Sequence, residues 1–199
     1  RKRTESVIQP VVLNQIVKQN VVRLETGLGE FDRVLGSGMV EGTVVLLGGE
    51  PGIGKSTLAL QCASMLSTKR RVLYVSGEES LQQIALRAGR MGLSESPVRL
   101  LSDTNLETVL ESANGIRPCF LVVDSIQTLS MPGLEAAPGS ISQIKRCAEQ
   151  LVRFAKGSKT IVLVIGHVTK EGTLAGPKVL EHIVDTVLYF EGDPDSRFR

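Results

Sequence analysis

The segment Gly49-Glu50-Pro51-Gly52-Ile53-Gly54-Lys55-Ser56, with Thr57 behind it, has the form G-x-x-x-x-G-K-[ST]. It follows the apolar run Thr43-Val44-Val45-Leu46-Leu47 and opens a run in which Leu58, Ala59, Cys62, Met65 and Leu66 recur at helical spacing. Strand, glycine loop and helix in this order are the setting a phosphate-binding loop needs, and they direct the chain toward an α/β fold. Glycines let successive backbone N–H groups turn into one concavity, and the helix behind presents its positive dipole end to the same place. A triphosphate fits there, so residues 49–57 are the nucleotide-binding candidates. Lys55 is expected to reach the β- and γ-phosphates, and the Ser56 hydroxyl to ligate the accompanying Mg²⁺. ATP and Mg²⁺ are thus the expected cofactors.

The remaining pattern places this loop in a larger sheet. Residues 71–76, 98–101, 119–124, 160–165 and 185–191 are short, mostly apolar runs, each separated from the next by an amphipathic helical stretch or a glycine-bearing loop. Strands apolar along their length and alternating with helices predict a mostly parallel central sheet covered on both faces. Thr26 is the expected N-cap of a short helix through Leu28, Phe31, Val34 and Leu35, with Gly36 as its stop. Asn114-Gly115 is expected to break the helix that begins near Leu106. Residues 1–20, interrupted by Pro10, are expected to form a linker, with residues 21–199 as the core. Two irregular loops are expected, over 126–139 and 168–178.

In such a sheet ligands gather at the C-terminal strand ends. Ser56, Glu78, Asp124 and His167 all fall at or just beyond such ends. Asp124, after the apolar Phe120-Leu121-Val122-Val123, is the expected second Mg²⁺ group, against the plainer reading of a helix-capping carboxylate. Hydrolysis needs a carboxylate to polarise the attacking water, and Glu78 is favoured for it because it is the first acid to leave its strand. Glu79 is the reserve candidate, with support of the following helix dipole as its plainer role. His167 is either a satisfied structural histidine or a γ-phosphate sensor.

Bulk composition limits the partners. A net charge of +2 over 199 residues removes any global electrostatic argument for nucleic acid, so contact with it must come from a local patch. With 4% aromatic residues and no Trp, a base-stacking platform is not expected. Arg1-Lys2-Arg3 reads as a solvated terminal cluster. Cys62, Cys119 and Cys147 form no C-x-x-C pair and read as buried thiols, not a zinc site. No apolar run approaches membrane-spanning length and residues 1–4 lack the apolar segment of a secretory signal, so the expected compartment is the cytoplasm.

Together these motifs resemble the RecA-like ATPase superfamily and, within it, the bacterial RadA/Sms DNA-repair family. The matching text includes Thr26-Gly27, Phe31-Asp32-Arg33-Val34-Leu35-Gly36, the phosphate loop, Tyr74-Val75-Ser76-Gly77-Glu78-Glu79-Ser80, Val123-Asp124-Ser125-Ile126-Gln127, His167-Val168-Thr169-Lys170 and the run from Leu174 to His182. The resemblance covers about residues 24–199. It implies a hexameric, ATP-driven motor on single-stranded DNA that extends recombination intermediates by branch migration, alongside a recombinase in the full-length protein. It also implies that loops 126–139 and 168–178 line the ring channel, with Lys170 and Lys178 as candidate DNA contacts.

The family carries a four-cysteine zinc module before this core and a Lon-protease-like domain after it, and neither is present in the sequence. Its Lys-Asn-Arg-Phe-Gly motif would fall just past Arg199. The resemblance therefore implies an ATPase core that binds nucleotide well and turns it over slowly. Gly36-Ser37-Gly38 stands where the family has a glycine triplet, which is expected to be harmless. Two rival readings are a KaiC-like signalling or scaffold ATPase that binds no DNA, and a small-molecule kinase. The absence of a recognisable lid and acceptor site weakens the latter.

Overall fold

The structure, a computed structural model, describes residues 12–13, 22–167 and 179–192. The expected linker over residues 1–20 lies almost wholly outside the described residues, as does the loop 168–178. The described chain begins with a two-stranded antiparallel pair, β1 (Arg23–Leu24) and β2 (Met39–Val40), enclosing the short helix α1 (Gly29–Val34). Then follow β3 (Val44–Gly49), α2 (Lys55–Ser67), β4 (Val72–Ser76), α3 (Leu81–Arg90), β5 (Arg99–Ser102), α4 (Leu106–Ile116), β6 (Phe120–Asp124), α5 (Ile141–Ser158), β7 (Ile161–His167) and β8 (Thr186–Phe190).

Six of these strands form one sheet in the order β5-β4-β6-β7-β3-β8, and every pairing in it is parallel. The expected α/β architecture is thus the observed one. Its physical basis is visible in the alternation of side chains. Val44, Leu46, Leu73, Val75, Leu121, Val123, Val162 and Val164 point to one face, where α4 and α5 cover them with Leu106, Val109, Ile144, Cys147 and Leu151. Val45, Leu47, Val72, Tyr74, Phe120, Val122, Leu163 and Ile165 point to the other, under Phe31, Ala59, Leu60, Cys62 and Ile84 of α1, α2 and α3. A strand buried on both sides must be apolar at every position, which explains the runs that the sequence shows.

Register fixes which residues meet at the C-terminal edge. In the β3–β7 ladder Gly49 stands opposite His167, and in the β4–β6 ladder Ser76 stands opposite Asp124. The loop that opens α2, the turn after β4, and the ends of β6 and β7 therefore lie side by side.

Several local expectations are corrected. Thr26 is not the N-cap of α1; Leu28 is, with no side-chain cap. Thr26 instead donates its N–H and hydroxyl to Asp32 Oδ1 (2.8 and 2.9 Å) and accepts from the Leu28 N–H, tying the entry loop to the helix from the side. Helix α4 runs through Asn114-Gly115 to Ile116, and Arg117, with φ 51°, supplies the left-handed cap. Ile116 packs against the core, which offsets the roughly 1 kcal/mol cost of an interior glycine. On α2, Met65 is 39% exposed whereas Leu60, Ala63 and Ser64 are buried, so the buried face is broader than the one read from spacing and displaced from it. Ser37 takes φ 73°, a conformation that glycine adopts at less cost. Cys62 and Cys147 are buried, and burial first of all pushes them up to about 12 and about 11, whereas Cys119, expected to be buried as well, is half-buried, its thiol pushed up chiefly by that partial burial.

Candidate functional site

The loop between β3 and α2 closes on its own lysine. Gly54, with φ 113°, is the N-cap of α2 and turns the chain into the helix in a conformation that a side chain would oppose. Lys55 follows it, almost fully buried, and its Nζ donates to the carbonyls of Gly49 and Glu50, both at 2.8 Å. The ammonium thus braces the two ends of the loop. No acceptor within the described chain is bonded to the N–H groups of Gly52, Gly54, Lys55 and Ser56. Donors at a helix start without acceptors, beside a buried cation, make an anion-binding concavity. Burial lowers the Lys55 pKa, and the charges of Asp124 and Glu78 oppose that shift. Geometry places them together: Glu78 bonds His167, which stands opposite the lysine-bound Gly49, and Ser125, which follows Asp124.

Asp124 ends β6 with 2% exposure. Its Oδ2 accepts a 2.6 Å hydrogen bond from the Tyr74 hydroxyl, and its Oδ1 is buried with no partner. A buried carboxylate oxygen without a partner is costly unless a cation or a cation-bound water meets it. A Mg²⁺ ion would fit that requirement, held by Asp124 and by the half-buried Ser56 hydroxyl at the start of α2. When bound with nucleotide, such an ion neutralises phosphate charge.

The two glutamates after β4 part company. Ser76, fully buried, accepts from the N–H groups of Glu78 and Glu79 (3.3 and 3.0 Å), and the Gly77 N–H donates to the Asp124 carbonyl at 2.9 Å. This tight turn is why residue 77 is glycine, since a Cβ there would strike the Thr128 hydroxyl. From it Glu78 reaches across the ends of β6 and β7. Its Oε1 accepts from the Ser125 hydroxyl at 2.5 Å and bonds His167 Nε2 at 2.9 Å. The His167 hydrogen bond, chiefly, holds the Glu78 carboxyl below its ordinary value. Desolvation works against this, and the Ser125 bond and the charges of His167 and Lys55 assist it. Glu78 is thereby kept ionised, with Oε2 free of hydrogen bonds among the described residues.

Glu79 turns the other way and forms an ion pair with Arg87 of α3 at 2.5 Å. Arg87 in turn donates to the Tyr74 hydroxyl at 3.3 Å. The Glu79 carboxylate bonds Arg87 and, among the described residues, none of Lys55, Asp124 and Glu78. Glu79 directly precedes Ser80, the N-cap of α3, a placement in keeping with support of that helix's dipole.

Four side chains at this edge carry no role in the sequence reading: Tyr74, Ser125, Arg87 and Gln127. Gln127 Nε2 donates to the His167 carbonyl at 3.2 Å, linking the turn after β6 to the end of β7. Tyr74 had a readable signal, because a phenol in a wholly buried strand needs a hydrogen-bond partner. Ser125 and Gln127 stand in a motif already singled out, whereas Arg87 has no local signal. Lys170 and Lys178 lie outside the described residues.

The family described as an AAA domain matches residues 19–173. The chain is 50% identical over 187 residues to DNA repair protein RadA of Pseudomonas aeruginosa, covering 94% of this chain and 41% of that protein. It is 50% identical over 191 residues to RadA of Streptococcus pneumoniae, covering 96% and 46% respectively. For RadA of Bacillus subtilis the figures are 47% over 196 residues, 98% and 43%. The chain thus spans less than half the length of these relatives. A crystal structure of a KaiC-like protein from Pyrococcus horikoshii OT3 superposes with a TM-score of 0.69 at 21% identity, over 88% of this chain and 84% of that one, and supports the fold. Among the described residues no helix is long and apolar enough to cross a membrane.

Proposed function

From the AAA-domain family, to which the chain belongs by its match over residues 19–173, we propose that it is the ATP-hydrolysing core of a DNA-repair motor. The observation that carries this reading is the meeting of Lys55, Asp124 and Glu78 beside the loop in which the N–H groups of Gly52, Gly54, Lys55 and Ser56 have no acceptor among the described residues. The relatives named as DNA repair proteins supply the biological setting. In the finer form of the proposal, the core assembles as a hexameric ring, holds single-stranded DNA through Lys170 and Lys178, and promotes branch migration beside a recombinase.

Each side chain has a part in hydrolysis. The loop amides and Lys55 bind the phosphates, and the lysine's positive charge follows the charge that builds on the γ-phosphoryl oxygens. Ser56 and Asp124 hold Mg²⁺, with Tyr74 fixing the orientation of Asp124 by occupying its second oxygen. Glu78 accepts a proton from the attacking water. Its Oε1 is engaged by Ser125 and His167, so the free Oε2 is the oxygen that takes this proton. His167 is a positioning residue in this scheme, set between the end of β7 and the glutamate. The Glu79–Arg87 pair supports the tyrosine from behind.

The test is ATP binding and turnover with and without single-stranded DNA, in the unaltered protein and in Lys55→Ala. Mg²⁺-dependent ATP binding that the variant loses, and turnover that DNA raises, are expected. Turnover with no DNA affinity at any salt concentration would replace the motor by a nucleotide-driven scaffold.

A further inference from the structure

The opposite edge of the sheet carries a feature that hydrolysis does not use. The loops entering β4, β5 and β6 surround a cleft of about 530 Å³ lined by Lys69, Arg70, Arg71, Arg99 and Arg117, with no carboxylate in its lining. All five are exposed, and none takes part in an ion pair or side-chain hydrogen bond among the described residues. The charge of Glu41 is felt at Cys119 in the cleft wall, but so are those of Arg70 and Arg71. Arg117 also borders an adjoining cleft that contains Arg153. A chain with 23 cationic and 21 acidic residues has therefore gathered unneutralised cations of one sign at a single place.

We propose that this cleft at the N-terminal edge of the sheet binds the phosphate backbone of nucleic acid. Arg71 precedes β4, Arg99 opens β5 and Arg117 lies just before β6, and these are neighbours in the order β5-β4-β6. Strands in a sheet lie roughly 4.8 Å apart, so the three arginines form a row spanning roughly 10 Å. Such a row can pair with consecutive phosphates of one nucleic-acid strand. Guanidinium groups suit the role, since their planar forks pair with phosphate oxygens and shed water readily. Without aromatic residues in the lining, the cleft reads charge and not bases.

The site is separate from the nucleotide. Arg71 precedes β4 and Glu78 follows it after Gly77, so the strand's five residues separate the two sites by roughly 16 Å. Binding in the cleft is therefore independent of ATP. The inference extends the DNA-binding part of the function proposed above by naming a surface other than the two loops.

The experiment measures affinity for a labelled oligo-dT against salt concentration, without nucleotide. It compares the protein with the triple variant Arg71→Gln/Arg99→Gln/Arg117→Gln and with Lys170→Ala/Lys178→Ala. Melting temperature and ATP affinity serve as folding controls, and the charge-reversed triple Arg→Glu variant as a second, stronger perturbation. The cleft variant is expected to bind more weakly and to lose roughly two units of salt slope, at roughly 0.7 per phosphate contact, with ATP affinity unchanged. Unchanged affinity and slope in both cleft variants overturns the proposal, and a loss confined to the loop variant leaves only the loops as the DNA surface. If the unaltered protein binds no oligo-dT, the cleft assignment falls while the ATPase assignment stands. Affinity for an acidic peptide that the cleft variants lose, with oligo-dT binding intact, reassigns the cleft to a protein partner and also overturns it.

Discussion

The two edges of the central sheet use charge in opposite ways. At the C-terminal edge, Lys55 and Asp124 are buried, Glu78 is half-exposed, and each polar group is positioned by another: Lys55 by loop carbonyls, Asp124 by Tyr74, Glu78 by Ser125 and His167. At the N-terminal edge Lys69, Arg70, Arg71, Arg99 and Arg117 are exposed and unpaired. Chemistry requires groups held in fixed positions with shifted acidities, whereas backbone recognition requires only a concentration of charge. The contrast makes the two edges respond differently to substitution.

Among the residues around the acidic pocket, the largest effect on Mg²⁺-dependent affinity should come from removing the buried charge of Asp124. Asp124→Asn should weaken the Mg²⁺-dependent part of ATP affinity by roughly 10- to 150-fold, the range for a hydrogen bond to a charged group, as measured by calorimetry with a non-hydrolysable analogue across a Mg²⁺ series. Tyr74→Phe should act on the same quantity by about tenfold and leave ATP affinity without Mg²⁺ unchanged. An equal loss with and without Mg²⁺ would mean that the tyrosine serves the fold alone.

A smaller change concerns pH. His167 is the main reason Glu78 titrates below its ordinary 4.5. Because the folded pKa is depressed, the carboxylate's contribution to stability is complete above that value and is lost as pH falls through the lower, folded one. His167→Ala removes the chief lowering influence, so the acid limb of kcat/KM should move to higher pH. A limb that stays in place would assign it to another group. The smallest effect should appear at the opposite edge, where Arg71→Gln and Arg99→Gln should each change stability by no more than about 0.5 kcal/mol, measured by urea denaturation. A greater loss in either would show that these arginines are structural after all.

Much of the C-terminal edge was legible in the sequence because its determinants are local. The glycine loop reads from residues 49–57, and Asp124 reads from the apolar residues before it, since a parallel strand buried on both faces advertises its own end. The strand order could not be read, as it depends on ladders such as Gly49 opposite His167, which pair residues far apart in the chain. The same limit hid the divergence of Glu78 and Glu79: their directions are set by the turn on Ser76 and by Arg87 eight positions further along. Thr26 and Asn114-Gly115 misled for a related reason. Each has the local chemistry of a helix boundary, but Asp32 captured the threonine, and the packing of Ile116 carried α4 past the glycine.

The N-terminal edge was illegible for a simpler reason. Its cations stand at positions 69–71, 99 and 117 and make no run; only the sheet order β5-β4-β6 assembles them. A net charge of +2 conceals such a gathering.

The central claim is that Glu78, and not its neighbour, activates water beside Lys55. Single-turnover hydrolysis of pre-bound ATP in Glu78→Gln and Glu79→Gln, with ATP affinity measured in both, tests it directly. Glu78→Gln should keep its affinity and lose roughly 10² to 10⁴ in rate, while Glu79→Gln hydrolyses within about tenfold of the unaltered protein, the cost of disturbing the support of Tyr74. Normal turnover in Glu78→Gln, with the large loss in Glu79→Gln instead, would contradict the account.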